Sequence, residues 1–321
     1  MSLGRLCRGA ALLTLLSLAL SGLVGSQSLS APHWALADGF ERARLRAGIW
    51  SERRLLPGSV EIQDRVARGA GRALAITVHP GHDPLGDGSD RAELAEAEAV
   101  RLRFGQEVWY GFSMRIAGPI PADGNRIVIG QWHHAGPGSP FVAQRFRDGI
   151  FHITVQDGAC RLRIAWQAGG AEGNRRGCRV AVERFADLPP SDSGWIDMVY
   201  RIRADPGGDG LVEVWANGRK IARATGAIGY ENMTRQFFKF GPYRDPVDYP
   251  TTVYLDNFRR GASYAQVDPA APLRRVHVAD LAGFPVSARA CQRPPERAQV
   301  IRRSSTPPEP DRRIHEPPVP H

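Results

Sequence analysis

The sequence predicts an all-β sandwich or jelly roll of two antiparallel sheets, on three observations. Period-two alternation runs through most of the chain between Asp38 and Tyr264. Turn signals separate the alternating runs, and no segment offers a long amphipathic helix.

In chain order, Val60–Val66 and Ala73–Val78 are the first strand-like runs. Ala92–Ala99, rich in Ala and Glu, reads as strand or helix alike. In the next run Val108, Tyr110, Phe112, Met114 and Ile116 alternate with Trp109, Gly111, Ser113 and Arg115, which gives the strand one packed face. Ile127–Trp132 and Phe151–Val155 continue the pattern. Ile196, Met198, Tyr200 and Ile202 then alternate with Asp197, Val199, Arg201 and Arg203. Leu211–Ala216 leads into Asn217-Gly218, the pair that a type I′ hairpin turn requires. Thr251–Phe258 is the last run.

The ends differ in character. Arg5 and Arg8 precede an apolar run from Ala10 to Val24, and Ser26, Ser30 and Ala37 suit cleavage, so residues 1–30 read as a secretory signal. The β domain spans 38–264. Residues 268–321 are rich in Pro and Arg, bury too little apolar surface to fold alone, and read as a disordered tail. The expectation is a secreted or periplasmic protein, a monomer with no membrane insertion after cleavage. Abundant Arg and Ala with scarce Lys suggest a bacterial source. Cys160 and Cys178 flank a Gly-rich segment and suit a disulfide in an oxidising compartment; Cys7 lies in the signal and Cys291 in the tail.

The net charge of +9 suggests nucleic acid until it is partitioned. The signal holds two arginines and the tail nine arginines against six carboxylates, which leaves +4 for the folded part. That balance argues against nucleic acid and suits an anionic glycan.

Three places carry more polar functionality than a bare sandwich needs. In Asp90-Arg91-Ala92-Glu93-Leu94, period two puts Arg91 and Glu93 on one face, able to fix each other. A guanidinium held in this way matches a sugar carboxylate, although an ordinary ion pair has the same pattern. In Gly130-Gln131-Trp132-His133-His134, Gln131 and His133 share a face. There an amide can bind a carboxyl group while imidazole handles protons. Neighbouring histidines on a strand point apart, so His133 and His134 are weak ground for a metal. In Phe238-Lys239-Phe240-Gly241-Pro242-Tyr243-Arg244 the phenylalanines face the core, opposite Lys239 and Tyr243. A cation beside a tyrosine favours the phenolate and suits it to acid–base work; a packing tyrosine fits the same pattern.

In this order, together with Trp109–Ser113, Val212–Gly218 and Tyr254–Asn257, these segments resemble the heparin lyase I-like polysaccharide lyases and their glucuronan lyase-like relatives. The resemblance covers about Asp38 to Gly261. It implies a concanavalin A-like jelly roll with a groove on its concave sheet, and β-elimination on an acidic, uronic-acid-containing polysaccharide with no cofactor for the chemistry. On that footing Gln131 and Arg91 neutralise the uronate, Tyr243 is the acid, and Tyr243 or His133 is the base. Glu93, Lys239 and Arg244 join Arg91 in binding substrate. The resemblance also implies a structural calcium, with Asp256 the residue to name; Asp83, Asp87 and Asp90 form a second candidate ion loop. A mildly basic domain with scarce lysine fits a carboxylate-only polymer better than densely sulfated heparin.

Two rival readings stay open. A glycoside hydrolase on the same fold needs two carboxylates on one face, for which Glu93, Glu96 and Glu98 are the candidates. A lectin-like binding protein has the same strands and no chemistry.

Overall fold

The computed structural model describes residues 32, 34–53, 55–69, 71–120, 124–158, 160–165, 177–186 and 194–272. The signal segment with Cys7, and the tail beyond residue 272 with Cys291, lie outside the described residues.

Two antiparallel sheets pack face to face. The first has the spatial order Val180–Arg184, Arg219–Ile228, Asp205–Ala216, Ile196–Arg203, Val108–Ala117, Thr251–Gly261, Ala73–Val78, Val60–Gln63, with Leu36–Asp38 beside Thr251–Gly261. The second runs Cys160–Ala165, Ile150–Asp157, Val142–Arg147, Arg126–His134, Arg235–Arg244, Glu93–Glu96, Trp50–Arg53. Asp90–Arg91 and Leu102–Arg103 also pair with Arg235–Arg244. The sandwich expected from alternation is thus the fold observed.

Alternation explains the core. Tyr110 and Phe112 from the first sheet meet Trp132, Phe238 and Phe240 from the second, with Tyr200 and Phe258 closing the cluster. Ring centroids lie 5.0 Å apart for Trp132 and Phe238 and 5.2 Å for Phe112 and Phe238, within the range of favourable aromatic contact. Charged residues also point inward, in pairs: Glu96 pairs with Arg260 at 2.8 Å and accepts the Phe238 N–H at 3.0 Å, with both side chains almost inaccessible to water. Burial raises the pKa of Glu96 against the pull of Arg260.

The ambiguous Ala92–Ala99 stretch forms the strand Glu93–Glu96 and then a 3-10 turn, Glu98–Val100. Asn217 and Gly218 take φ of 46° and 79°, as the expected hairpin requires. Cys160 and Cys178 form the expected disulfide. On the outer face of Val108–Ala117 a Cβ at Gly111 would collide with the Val267 carbonyl, so the glycine lets the short Tyr264–Val267 helix lie against the sheet. Among the described residues no helix is long and apolar enough to cross a membrane.

Candidate active site

Strand register arranges the outer face of the second sheet into rows. One row runs His152, Arg145, Val128, Tyr243, Arg91. The next runs Thr154, Ala143, Gln131, Lys239, Ala95. Direct cross-strand partners share a face and sit about 5 Å apart. Register slips separate the rows, between Gln144 and Arg145 and between Phe240 and Tyr243. Gly241 lies in the second slip with φ 132°, where a Cβ would collide with the Ala92 carbonyl. Its absence lets the Asp90–Glu96 segment close on the site, and Ala92 N–H donates to the Pro242 carbonyl at 2.9 Å.

Around Gln131 the contacts are polar and buried. Glu93 accepts from Lys239 Nζ at 2.9 Å and from the Gln131 amide. The second Gln131 N–H has no protein partner among the described residues. His133 keeps Nδ1 against the His134 backbone, 2.9 Å from the carbonyl oxygen and 3.0 Å from the nitrogen, and stacks on Phe237. Burial, aided by nearby Lys239, lowers the His133 pKa to about 4, so the imidazole is neutral and unprotonated at neutral pH. Glu93, Arg101, His133, Phe237 and Lys239 line a cleft of about 270 Å³.

Tyr243 lies between two guanidinium groups. Arg91 sits 4.3 Å from its ring centroid and Arg126 4.6 Å, and Arg126 Nη2 donates to the phenol oxygen at 3.3 Å. Asp245 anchors Arg126 at 2.9 Å, and Asp87 anchors Arg91.

Gln131, His133, Lys239, Glu93, Tyr243 and Arg91 are therefore all on one sheet face, and three expectations are corrected. Arg91 and Glu93 do not fix each other; Arg91 takes Asp87, while Glu93 takes Lys239 and Gln131. Arg244 is wholly buried, donating to Thr251 Oγ1 at 2.6 Å and pairing with Asp90 at 3.4 Å. It follows Phe238 and Phe240 in the inward phase, so it cannot grip a sugar on the outer face. Glu96 is interior and Glu98 exposed on the 3-10 turn, which removes the carboxylate partners that hydrolysis would need beside Glu93.

At Asp256 the two carboxylate oxygens accept backbone N–H groups of Arg68 at 3.0 Å and Asn257 at 2.7 Å. Burial raises its pKa to about 6. In the Gly81–Asp90 loop, Asp83 likewise accepts N–H groups of Leu85, Asp87 and Gly88. Among the described residues no three His, Cys, Asp or Glu side chains gather. Each of these carboxylates orders its own backbone, and among the described residues no further side-chain ligands gather there to give the several oxygens that a calcium ion takes.

Arg126, Arg145, His152, Arg161 and Arg163 belong to the same outer face and were not singled out by sequence. Alternation along Val142–Arg147, Ile150–Asp157 and Cys160–Ala165 was the available signal for all but Arg126.

An antiparallel sandwich that presents amide, imidazole, phenol and guanidinium groups on one open sheet face has the build of a carbohydrate-active protein. The polysaccharide lyase family model matches residues 37–259, and the chain belongs to that family. In fold it is similar to the endo-β-1,4-glucuronan lyase of the fungus Trichoderma reesei, with a TM-score of 0.52, 17% identity, and 68% of this chain and 93% of that one covered. Further likenesses are to alginate lyase A1-II′ of polysaccharide lyase family 7 (TM-score 0.48, 14% identity, 71% and 100% covered) and to a GH131 β-glucanase domain of Podospora anserina (0.46, 14%, 74% and 95%). A search of curated proteins finds no match.

Proposed function

We propose that this chain cleaves a uronic-acid-containing polysaccharide by β-elimination. The observation that carries this reading is a neutral imidazole, His133, and a phenol, Tyr243, on one sheet face, with Gln131, Arg91 and Arg126 beside them. Elimination needs donors already placed where charge develops, here on the uronate carboxylate. Arg91, Arg126 and the second Gln131 N–H supply such donors. His133 takes the proton from the carbon next to the carboxyl group, and that electron pair forms the new carbon–carbon double bond. The glycosidic carbon–oxygen bond breaks, and Tyr243 gives its hydroxyl proton to the departing oxygen. Lys239 and Glu93 hold Gln131 in place.

The ordered motifs support kinship with the heparin lyase I-like enzymes, and the fold likeness to a glucuronan lyase makes glucuronan the first substrate to try. The basic and apolar chain start, with the Cys160–Cys178 disulfide, supports an exported enzyme. The test is incubation with polyuronates and glycosaminoglycans while ultraviolet absorbance from unsaturated uronate is followed. The expected result is a growing signal that falls at least about 100-fold in Tyr243→Phe. New reducing ends without absorbance would replace elimination by hydrolysis, and glycan binding with neither product would leave a lectin.

A further inference from the structure

Arg145 is 5% exposed, yet no carboxylate among the described residues pairs with it. Its Nε donates to the Thr154 hydroxyl at 3.0 Å. Its charged neighbours are cations: burial, then Arg161 and Arg126, lower its pKa to about 10. Arg161 donates to Gln156 and Ser139, which are neutral, and the Nε of Arg163 is buried without a partner. The register puts Arg163 opposite Thr154 and Arg161 opposite Gln156, on the same outer face as Arg145. A buried cation with no counter-ion is costly, and such groups are normally paired. Among the described residues nothing supplies the anion that would complete it.

Position says what that anion belongs to. Arg145 and Tyr243 share a cross-strand row with only Val128 between them, a separation of about 10 Å across two strand spacings. We infer that Arg145, backed by Arg161 and Arg163, forms a second anion subsite for a carboxylate or sulfate group on a sugar further along the same glycan. The placement along the chain rests on the β-elimination reading at Tyr243. The subsite makes the enzyme select a polymer charged at intervals over one with a single uronate. It also changes what the mild net charge means, because on this face arginines gather that have no carboxylate partner among the described residues.

The experiment is calorimetric binding of an oligoglucuronate, a sulfated glycosaminoglycan oligosaccharide and a neutral cello-oligosaccharide, in a Tyr243→Phe background so that no turnover consumes ligand. Arg145→Gln is expected to weaken one or both anionic ligands about 10- to 100-fold, with the neutral ligand unchanged. Loss with the oligoglucuronate assigns a carboxylate, and loss with the sulfated chain a sulfate. The melting temperature should hold or rise, since no carboxylate is orphaned. Arg161→Gln repeats the test at an exposed position and should give the smaller loss in the same direction. Unchanged anionic affinities, equal loss of the neutral ligand, or no anionic binding with Arg145 present would each overturn the subsite. An Arg145-dependent affinity in a wild-type chain that yields no unsaturated product would overturn β-elimination and leave the anion subsite standing.

Discussion

On the outer face of the first sheet, Arg201 lies between Glu107 at 3.0 Å and Glu213 at 3.1 Å, and Lys220 meets Glu213 at 2.6 Å. Arg68 likewise meets Asp197 at 3.0 Å. On the outer face of the second sheet Arg145, Arg161 and Arg163 have no carboxylate among the described residues. On the first face the buried acids Glu213 and Asp197 are matched by cations, while the second face leaves a buried cation for something else to complete. Inside the sandwich a third arrangement appears: Arg260, as buried as Arg145, has Glu96 as a full counter-ion. Burial and pairing are thus independent choices in this fold, and the unpaired buried arginine points to a ligand.

The sharpest way to break that comparison is to exchange the two buried arginines for uncharged side chains. Arg260→Met strands Glu96 in the interior and removes donors from the Trp34 carbonyl. It should cost about 3–5 kcal/mol in urea unfolding, because the remaining charge is buried and uncompensated. Adding Glu96→Gln should recover part of the loss. If Arg260→Met costs no more than Arg145→Gln, pairing does not distinguish the two sites.

How much of this was legible in the sequence depends on whether the alternation stays in phase. Val108–Ala117 keeps strict period two, so its core residues could be read directly. Gln131 and His133 share a face for the same reason. Tyr243 and Arg244 follow the phase set by Phe238 and Phe240, so the inward direction of Arg244 was also readable; treating both as site residues ignored it. Arg126 is a different case. Counting back by twos from Gln131 turns Arg126 inward, but the register slip around Gly130 shifts the phase and brings it to the Tyr243 hydroxyl. No residue type announces that slip, so the guanidinium nearest the phenol oxygen was hidden. The partners of Arg91 and Glu93 were hidden too, because choosing among Asp87, Lys239 and Gln131 requires the tertiary fold.

Titration should show the unpaired cations as well. His152, opposite Arg145 in register, has its pKa lowered to about 4 by burial and then by Arg163, with Arg145 contributing. His133 also sits near 4, whereas an ordinary histidine protonates near 6.5. Between those values these two histidines bind protons in the unfolded chain that they refuse in the fold, so their contribution to stability falls as pH drops from about 6.5 to 4 and is level above, while Asp256, raised to about 6, contributes in the opposite sense. His152→Gln should shallow that fall by up to about 3 kcal/mol at the acid end, measured as unfolding free energy against pH. Superimposable pH profiles for the two proteins would mean that His152 protonates normally in the fold.

The smallest effect expected comes from the face whose buried acids are matched by cations. Arg201→Gln removes the centre of the Glu107–Arg201–Glu213 network, but Arg201 and Glu107 are partly solvated and the buried Glu213 keeps Lys220. The change should cost less than about 1 kcal/mol of stability. It should leave both oligoglucuronate affinity and turnover as they were, since Arg201 lies on the opposite sheet from Gln131 and Tyr243. Arg145→Gln should do the reverse, sparing stability and weakening the ligand. Equal loss of affinity from both substitutions would mean that the polymer responds to the overall positive field and that the unpaired cations on the second sheet give no local advantage.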